Sequence, residues 1–242
     1  MKLRKATLLF LSTLLVLGCT DGDISVSDDD DDDDGDDGST TGYSVLITDS
    51  GELNLDLITS IGTGEVSLEF FYTSNEAAEV LVGIYGQTDS TSSYRMAEVQ
   101  LDSEWAVSGD LGVRLTDDDV YENSTLYGDI DDGQWVELTL SWDTTDGNYS
   151  LEIDNTDLGS FTLNTISSGG YENVGYIVIK VSEANTSKPV YIDNLEVYSG
   201  SSKTVNDDFD DYSVNTNLSA NSGDYDYSES SNATISDDED AG

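Results

Sequence analysis

Histidine is absent from the 242 residues, and cysteine and proline occur once each. Without histidine the chain has no imidazole to act as a general base near neutral pH, to bind zinc or copper, or to activate a serine or cysteine nucleophile. A single cysteine excludes an intramolecular disulfide. Basic side chains number 8 against 51 acidic ones, for a net charge of −43. Phosphate contacts require a cationic surface, so nucleic acid is excluded as a partner.

The first 18 residues have the features of an export signal. Three basic residues within the first five precede an apolar run, Ala6 to Leu17, that is shorter than a membrane-spanning helix requires. The residues Val16-Leu17-Gly18-Cys19 resemble a bacterial lipobox. The resemblance implies lipidation of Cys19 and an exported bacterial outer-membrane or cell-surface lipoprotein, which contacts the membrane through its lipid anchor only. The alternative is a plain signal peptide, cut nearby, that leaves a free thiol.

Residues 19–41 are predicted to be a disordered acidic linker. Asp28 to Asp34 is an unbroken aspartate run, and the mutual repulsion of these charges extends a backbone that has few apolar side chains to fold around. The alternating Asp or Asn, turn glycine and closing Glu of an EF-hand loop are missing, which disfavours a calcium loop here.

Residues 42–200 are predicted to form the folded domain. Short stretches rich in Val, Ile, Leu, Thr and Tyr alternate with polar residues and are separated by Gly, Asn, Asp and Ser, and no stretch has a capped helical stripe. The predicted strands are Ser44–Ile47, Glu65–Tyr72, Ala78–Tyr85, Ser93–Leu101, Gly112–Thr116, Trp135–Trp142, Tyr149–Ile153, Gly175–Val181 and Val190–Tyr198. The pattern predicts an all-β fold, a two-sheet antiparallel β-sandwich.

Alternation within the strands separates a core face from a polar face. Val136, Leu138, Leu140 and Trp142 share one face, opposite Glu137, Thr139 and Ser141, while Ile177, Ile179 and Val181 lie opposite Val178 and Lys180. Trp135 and Trp142 are both assigned to the core. The polar face is expected to meet solvent or to form a binding groove.

Two segments resemble the central hairpin of laminin-G-like and concanavalin-like jelly rolls, namely Gly133–Asp143 and Gly147–Asn155. The segment Val190–Tyr198 is similar to the last strand of many carbohydrate-binding jelly rolls. The resemblance covers most of residues 43–199 and implies a jelly-roll sandwich. Such sandwiches also serve as enzymes, adhesion modules and spacers, so the resemblance specifies function less well than fold.

Residues 201–242 also resemble part of a jelly-roll domain. Asp207–Leu218 looks like the opening of such a jelly roll, and Ala233–Ser236 looks like the strand that follows it. The segment belongs either to a circularly permuted domain or to a truncated second repeat, and residues 205–236 are expected to fold back and complete the sandwich. The alternative is a disordered acidic tail.

The resemblance also implies a structural calcium ion. In the similar binding modules, an acidic residue after the first strand's aromatic residue and an aspartate in the closing strand share the ion, and the matching positions are Asp210 and Asp193. The alternative is a pair of solvated surface aspartates.

The most plausible ligand type is a polysaccharide, including acidic ones. Aromatic rings stack on sugars and cations bind uronates or sulfates, so the candidate carbohydrate-binding residues are Tyr94, Arg95, Trp105, Arg114 and Tyr121. Lys180 also falls within a strand. The alternative is that these cations are scattered and pair with nearby acids.

Catalysis is not expected. Glu152-Ile153-Asp154 resembles the carboxylate strand of laminarinase-type hydrolases, but Asn155, Thr156 and Asp157 are typical of a hairpin turn. The function predicted from the sequence is therefore non-catalytic glycan binding, and the rival is a structural or adhesion module without a sugar site. The glycan and the oligomeric state are left open.

Overall fold

The computed structural model describes residues 42–72, 79–102, 111–115, 129–130, 133–182, 190–219, 223–239 and 241. The predicted signal, Cys19, the acidic linker, Trp105 and Tyr121 lie outside these residues. The described strands are β1 (Ser44–Ile61), β2 (Thr63–Tyr72), β3 (Glu79–Gly86), β4 (Arg95–Asp102), β5 (Leu111–Leu115), β6 (Asp129–Ile130), β7 (Trp135–Asp143), β8 (Asn148–Ile153), β9 (Thr156–Thr162), β10 (Val174–Ser182), β11 (Val190–Ser199), β12 (Ser202–Asp207), β13 (Tyr225–Asp226) and β14 (Ser231–Ser236). A 3₁₀ turn spans Ser92–Tyr94. This part of the chain contains no helix with the length and apolarity that a membrane crossing requires.

The strands form one antiparallel ladder that curls into two layers. Its order is β6-β5-β4-β3-β10-β1-β11-β2-β7-β8-β9. β1 belongs to both layers, because Val45–Ile47 pair with β11 and Glu52–Asp56 pair with β10. We call the half containing β3, β4 and β5 the β10 layer, and the half containing β7, β8 and β9 the β2 layer. The predicted all-β sandwich is confirmed.

A local change of backbone direction lets β1 pass between the layers. Ser50 has a φ of 57°. A Cβ on Gly51 would lie 2.7 Å from the carbonyl oxygens of Thr48 and Ser231, so only glycine fits there. The prediction that the first strand ends at Ile47 was too short, because Thr48-Asp49-Ser50-Gly51 has the composition of a turn.

The core lies between the layers and follows the predicted alternation. Val136, Leu138, Leu140 and Trp142 are buried, while the intervening residues of β7 are half-buried. Ile177, Ile179 and Val181 belong to the same core, and Lys180 lies on the other face of β10. Each fully buried Leu, Ile or Val stabilises the fold by about 1.5–3 kcal/mol relative to an exposed one.

Trp135 departs from its predicted place in the core. It is half-buried, in phase with Glu137 and Thr139 on the outward face of the β2 layer. Its ring packs 5.5 Å from that of Phe71, which lies 6.2 Å from that of Tyr191. The three rings cross β7, β2 and β11 as one row, since Trp135 pairs with Phe71 and Phe71 with Tyr191.

Four strands were missed: β6 and β13, which have only two residues each, and β9 and β12, which bury little. β9 is mostly exposed and therefore lacks the alternation that marks a half-buried strand. β12 pairs with β11 and has only Val205 and Asp207 buried. The turn before β9 is formed by Asp154 and Asn155, whose φ angles of 47° and 58° fit a two-residue type I′ hairpin.

The C-terminal segment is part of the sandwich. β14 pairs with β1 from Ser44 to Ile47, and β13 pairs with β1 at Asp56 and Leu57. Phe209, Tyr227 and Ile235 are buried in the shared core. The alternative of a disordered acidic tail does not hold for residues 201–219 and 223–239.

Asp207 organises the polar centre of this segment. Its Oδ1 accepts a hydrogen bond from the Phe209 amide at 3.0 Å, and its Oδ2 accepts bonds from the hydroxyls of Tyr212 at 2.8 Å and Tyr225 at 3.2 Å. Burial and the Asp207 carboxylate raise the pKa of Tyr212 above its ordinary value, so this phenol stays protonated and donates.

Candidate functional site

The outward face of the β10 layer carries polar side chains in three rows that cross β4, β3, β10 and β1. In strand order the rows are Gln100, Leu81, Lys180 and Glu52; Glu98, Gly83, Val178 and Asn54; and Arg95, Tyr85, Tyr176 and Asp56. We call this surface the polar face. It unites two of the scarce cations with carboxylates, amides and two phenols.

Glu98 is at the centre of the polar face and is only 3% exposed. Nη1 of Arg95 donates a hydrogen bond to its Oε1 at 3.2 Å, and the Tyr85 hydroxyl donates to its Oε2 at 3.3 Å. A buried carboxylate is costly unless it is paired, and here a guanidinium and a phenol share it. Burial, and then the charge of Glu98, raises the pKa of Tyr85 above its ordinary value.

A glycine allows the Tyr85 ring to lie along the sheet. A Cβ on Gly83 would come within 2.8 Å of Cε2 of this ring. Gly83 pairs with Glu98 on one side and Val178 on the other, so the ring covers the middle row between β4 and β10. Any larger residue at position 83 would displace the phenol from the carboxylate.

Lys180, on β10, also lies close to the Tyr85 ring. Its Nζ lies 6.0 Å from the centroid of Tyr85 and 3.2 Å from Oε2 of Glu52. An ammonium over a phenol face gains a weak electrostatic attraction. Both cations described on the polar face are therefore compensated by carboxylates.

Two amide oxygens on the polar face have unsatisfied hydrogen-bonding capacity. Asn54 and Gln100 are each 2% exposed, and within the described residues neither Oδ1 of Asn54 nor Oε1 of Gln100 has a donor in contact. The amide nitrogen of Asn54 donates to the Ser90 hydroxyl at 3.2 Å. A buried acceptor without a donor costs about 1–3 kcal/mol, so a hydroxyl or N–H group that donates to either oxygen would be bound favourably.

The five predicted carbohydrate-binding residues are distributed unevenly. Arg95 lies on the polar face, and the backbone of Arg114, on β5, is in register with Gln100. Tyr94 is half-buried in the 3₁₀ turn and packs against the core. Trp105 and Tyr121 lie outside the described residues.

Sequence reasoning missed Asn54, Tyr85, Glu98 and Gln100. The alternation Glu98-Val99-Gln100-Leu101 places both polar residues on one face of β4 and could have indicated them. Their neighbours on β3, β10 and β1 could not be found in this way, because the order of the strands in the layer is not visible in one sequence.

The calcium prediction gains no support from the described residues. Oδ1 of Asp193 accepts the Asn194 amide at 2.7 Å and Oδ2 accepts the Ala241 amide at 3.0 Å, while Oδ1 of Asp210 accepts the Tyr43 amide at 2.8 Å. Within the described part of the chain, no three acidic residues are grouped as a metal site. Both carboxylates face N–H donors, which is the geometry of a backbone anchor and fits a shared cation poorly.

Two surface depressions lie away from the polar face. One, of about 270 Å³, is lined by Thr63, Glu65, Ser141, Asn148 and Ser150 on the β2 layer. The other, of about 380 Å³, lies between Leu57, Ile61, Lys203 and Asp224. Lys203 is bound there by Glu196 and by Asn206 at 2.8 Å. Neither depression combines a ring, two ion pairs and unsatisfied amides.

No family model matches the chain, and no curated protein does. Solved structures that it resembles include a sialidase, at 12% identity over 64% of this chain with a TM-score of 0.48. The chain spans only 15% of that sialidase. The metal-free carbohydrate recognition domain of Emp46p is 12% identical over 66% of this chain and 88% of its own, with a TM-score of 0.46. Galectin LEC-6 of Caenorhabditis elegans is 12% identical over 64% of this chain and 95% of its own, with a TM-score of 0.40. At such low similarity the function must be argued from this chain's own residues.

Proposed function

We propose that the protein is a non-catalytic glycan-binding domain that recognises its ligand on the polar face. The observation that carries the proposal is the pair of buried amide oxygens, Asn54 Oδ1 and Gln100 Oε1, on the same face as Arg95 and Lys180. Sugar hydroxyls donate and accept hydrogen bonds, and sugar sites combine such polar groups with an aromatic surface. The setting proposed with it is an exported lipoprotein attached through Cys19.

The two carboxylates of the laminarinase-like segment, Glu152 and Asp154, are not arranged as a hydrolase pair. Asp154 lies in the β8–β9 turn, and its Oδ1 accepts the Glu137 amide at 3.0 Å, whereas Glu152 is exposed on β8. A retaining hydrolase needs two carboxyl groups about 5 Å apart on either side of the scissile bond. An aspartate committed to a hairpin turn does not serve that purpose.

A structural or adhesion module is the second candidate. It is favoured by the half-buried rings of Trp135 and Phe71 on the outward face of the β2 layer, since such rings can pack against a protein partner. Tyr191, the third ring of the row, is buried within the domain. In that case the polar face would have no ligand.

A glycan array followed by calorimetry tests the proposal. We expect one class of oligosaccharide to bind, with affinity reduced by Arg95→Ala and by Arg114→Ala. Lys203→Ala is the matched control, because Lys203 is on β12 and outside the polar face. Circular dichroism of each variant separates lost binding from lost folding. Absence of binding to every glycan would favour the structural module, whereas equal binding by all three variants would exclude Arg95 and Arg114 from the glycan site.

A further inference from the structure

We infer that the polar face selects a neutral oligosaccharide and rejects uronates and sulfated sugars. This inference rests on the proposed function and concerns the charge of its ligand. Its basis is the kind of atom left unsatisfied on the uncharged side chains: Asn54 Oδ1 and Gln100 Oε1 are acceptors, so they require a donor. Nε of Arg95, the third buried atom of this face without a hydrogen-bond partner among the described residues, is a donor, but it belongs to a guanidinium whose charge Glu98 already compensates. An acidic sugar still donates through its remaining hydroxyls, but its carboxylate or sulfate only accepts, so each acidic group takes the place of one hydroxyl donor.

The charges on the polar face also favour a neutral ligand. Arg95 is bound to Glu98 at 3.2 Å and Lys180 to Glu52 at 3.2 Å. An acidic ligand would have to compete with these carboxylates for the two cations. One of the carboxylates, Glu98, is buried beside Arg95. Because a like charge brought close to a buried carboxylate is repelled, the ion pairs oppose acidic ligands instead of attracting them. This reverses the expectation that the strand cations receive a uronate or sulfate.

The two acceptors are too far apart for one sugar ring. Gln100 lies on β4 and Asn54 on β1, three strand spacings away. Adjacent strands are about 4.8 Å apart, which places the two backbones about 14 Å from each other. A ligand that reaches both acceptors therefore contains several sugar units.

Access to the acceptors requires a local rearrangement, since both side chains are buried. Asn54 has one hydrogen-bond partner that a ligand can replace. Its amide nitrogen donates to the hydroxyl of Ser90, in the segment between β3 and β4. The residues before it, Gln87 to Asp89, are exposed. A sugar hydroxyl that displaces Ser90 can accept from the amide nitrogen and donate to Oδ1.

The test uses the full chain and two isosteric variants, Asn54→Leu and Gln100→Met. Each removes an unsatisfied acceptor without changing side-chain volume much. We expect an unchanged or higher melting temperature, because a buried unsatisfied group is replaced by an apolar one. Affinity for neutral oligosaccharides of glucose, galactose, mannose or xylose should fall about three- to tenfold for each variant, as expected for one lost hydrogen bond. Asn148→Leu, at an exposed position of β8, is the matched control and should leave affinity unchanged.

A second measurement needs no variant. Binding of a neutral sugar by the wild-type chain should not change between 0.05 and 0.5 M NaCl, whereas an anion held by Lys180 would lose affinity as salt screens the pair. Binding confined to uronate or sulfated oligomers, or neutral binding unaffected by both variants, would overturn the inference and leave glycan binding intact. Failure to bind any oligosaccharide would instead overturn the proposed function. Binding of neutral oligosaccharides alone, with an affinity that both variants reduce, would support the inference and the proposed function together.

Discussion

The Tyr85 hydroxyl donates a hydrogen bond of 3.3 Å to Oε2 of Glu98, whose other oxygen receives Nη1 of Arg95. Two neighbouring strands thus share one buried carboxylate, and the aromatic ring is fixed by the same contacts that compensate the charge. The ion pair and the ring contact are therefore parts of one hydrogen-bonded unit, whose contribution to stability can be measured by mutation.

Arg95→Ala should destabilise the fold by about 3 kcal/mol, because Glu98 then remains buried without its cation. The double variant Arg95→Ala/Glu98→Gln should recover most of that loss, since a neutral amide carries no unpaired charge. Urea unfolding of the wild type, Arg95→Ala, Glu98→Gln and the double variant measures the cycle. Equal losses in the single and double variants would show that the ion pair is not what stabilises this site.

Asp207→Ala should cost about 2–4 kcal/mol, because the Phe209 amide and the Tyr212 and Tyr225 hydroxyls lose an ionised acceptor together. Asp208→Ala removes an equal charge one residue along the chain, from an exposed side chain, and should cost less than about 0.5 kcal/mol. Thermal unfolding of the two variants gives the comparison. Similar melting temperatures would contradict the role assigned to Asp207.

Asp56→Asn should stabilise the protein at neutral pH. Burial, and then the charges of Asp226 and Glu229, raises the pKa of Asp56. The folded chain therefore holds this proton more tightly than the unfolded chain, so the associated stability is complete below the ordinary pKa and is lost as pH rises through the raised value. The asparagine avoids that loss, and we expect a gain of about 1–3 °C at pH 7 that disappears near pH 3.

The control for this prediction is Asp211→Asn, which removes the same charge from an exposed side chain. Its melting temperature should differ little from that of the wild type at either pH. A gain for Asp56→Asn that persisted unchanged at pH 3 would argue against a titration effect.

Asp193→Asn should lower stability by about 1–3 kcal/mol in both calcium and EDTA. Asparagine has one acceptor oxygen and would turn an N–H₂ group toward the amide of Asn194 or Ala241. Melting curves with and without the chelator measure this. A loss seen only in calcium, together with heat on calcium titration of the wild type, would support the metal role predicted for Asp193 and Asp210.

Deletion of residues 203–242 should prevent stable folding. The deletion exposes Val45 and Ile47 on β1 and removes Phe209, Tyr227 and Ile235 from the core. Each large core side chain contributes a few kcal/mol, against a total stability of about 5–15 kcal/mol. Circular dichroism and size-exclusion chromatography test this, and a folded truncated chain with the wild-type melting temperature would contradict it.

Much of the fold could be predicted from local pattern. The two-residue alternation of β7 and β10 assigns Leu138 and Ile177 to the core because a pleated strand has only two faces. The same rule failed at Trp135, whose aromatic character was given more weight than its phase with Glu137. Composition also hid the passage of β1 through Ser50 and Gly51, since residues typical of a turn can equally form a bend within a continuous strand.

The candidate site was visible only in part. Arg95 and Arg114 were identified because cations are rare in this chain, and the ladder places them on adjacent strands. Asn54 and Glu98, 44 positions apart in the sequence, become members of one row only through the pairing of β4, β3, β10 and β1. The local alternation shows which face of β4 carries Glu98 but not that Glu98 is buried, because burial depends on neighbours contributed by other strands.

The position of β1 has a mechanical consequence. Ser44 begins a strand whose first residues are paired with both β11 and β14, so a pull on the chain just before it reaches the middle of the ladder. Such a force acts on the hydrogen bonds to β11 and to β14 at the same time. The start of β1 therefore cannot separate from the sheet one bond at a time, as an edge strand would. A domain attached through residues 1–41 would therefore be able to hold a ligand under flow without unravelling from its point of attachment.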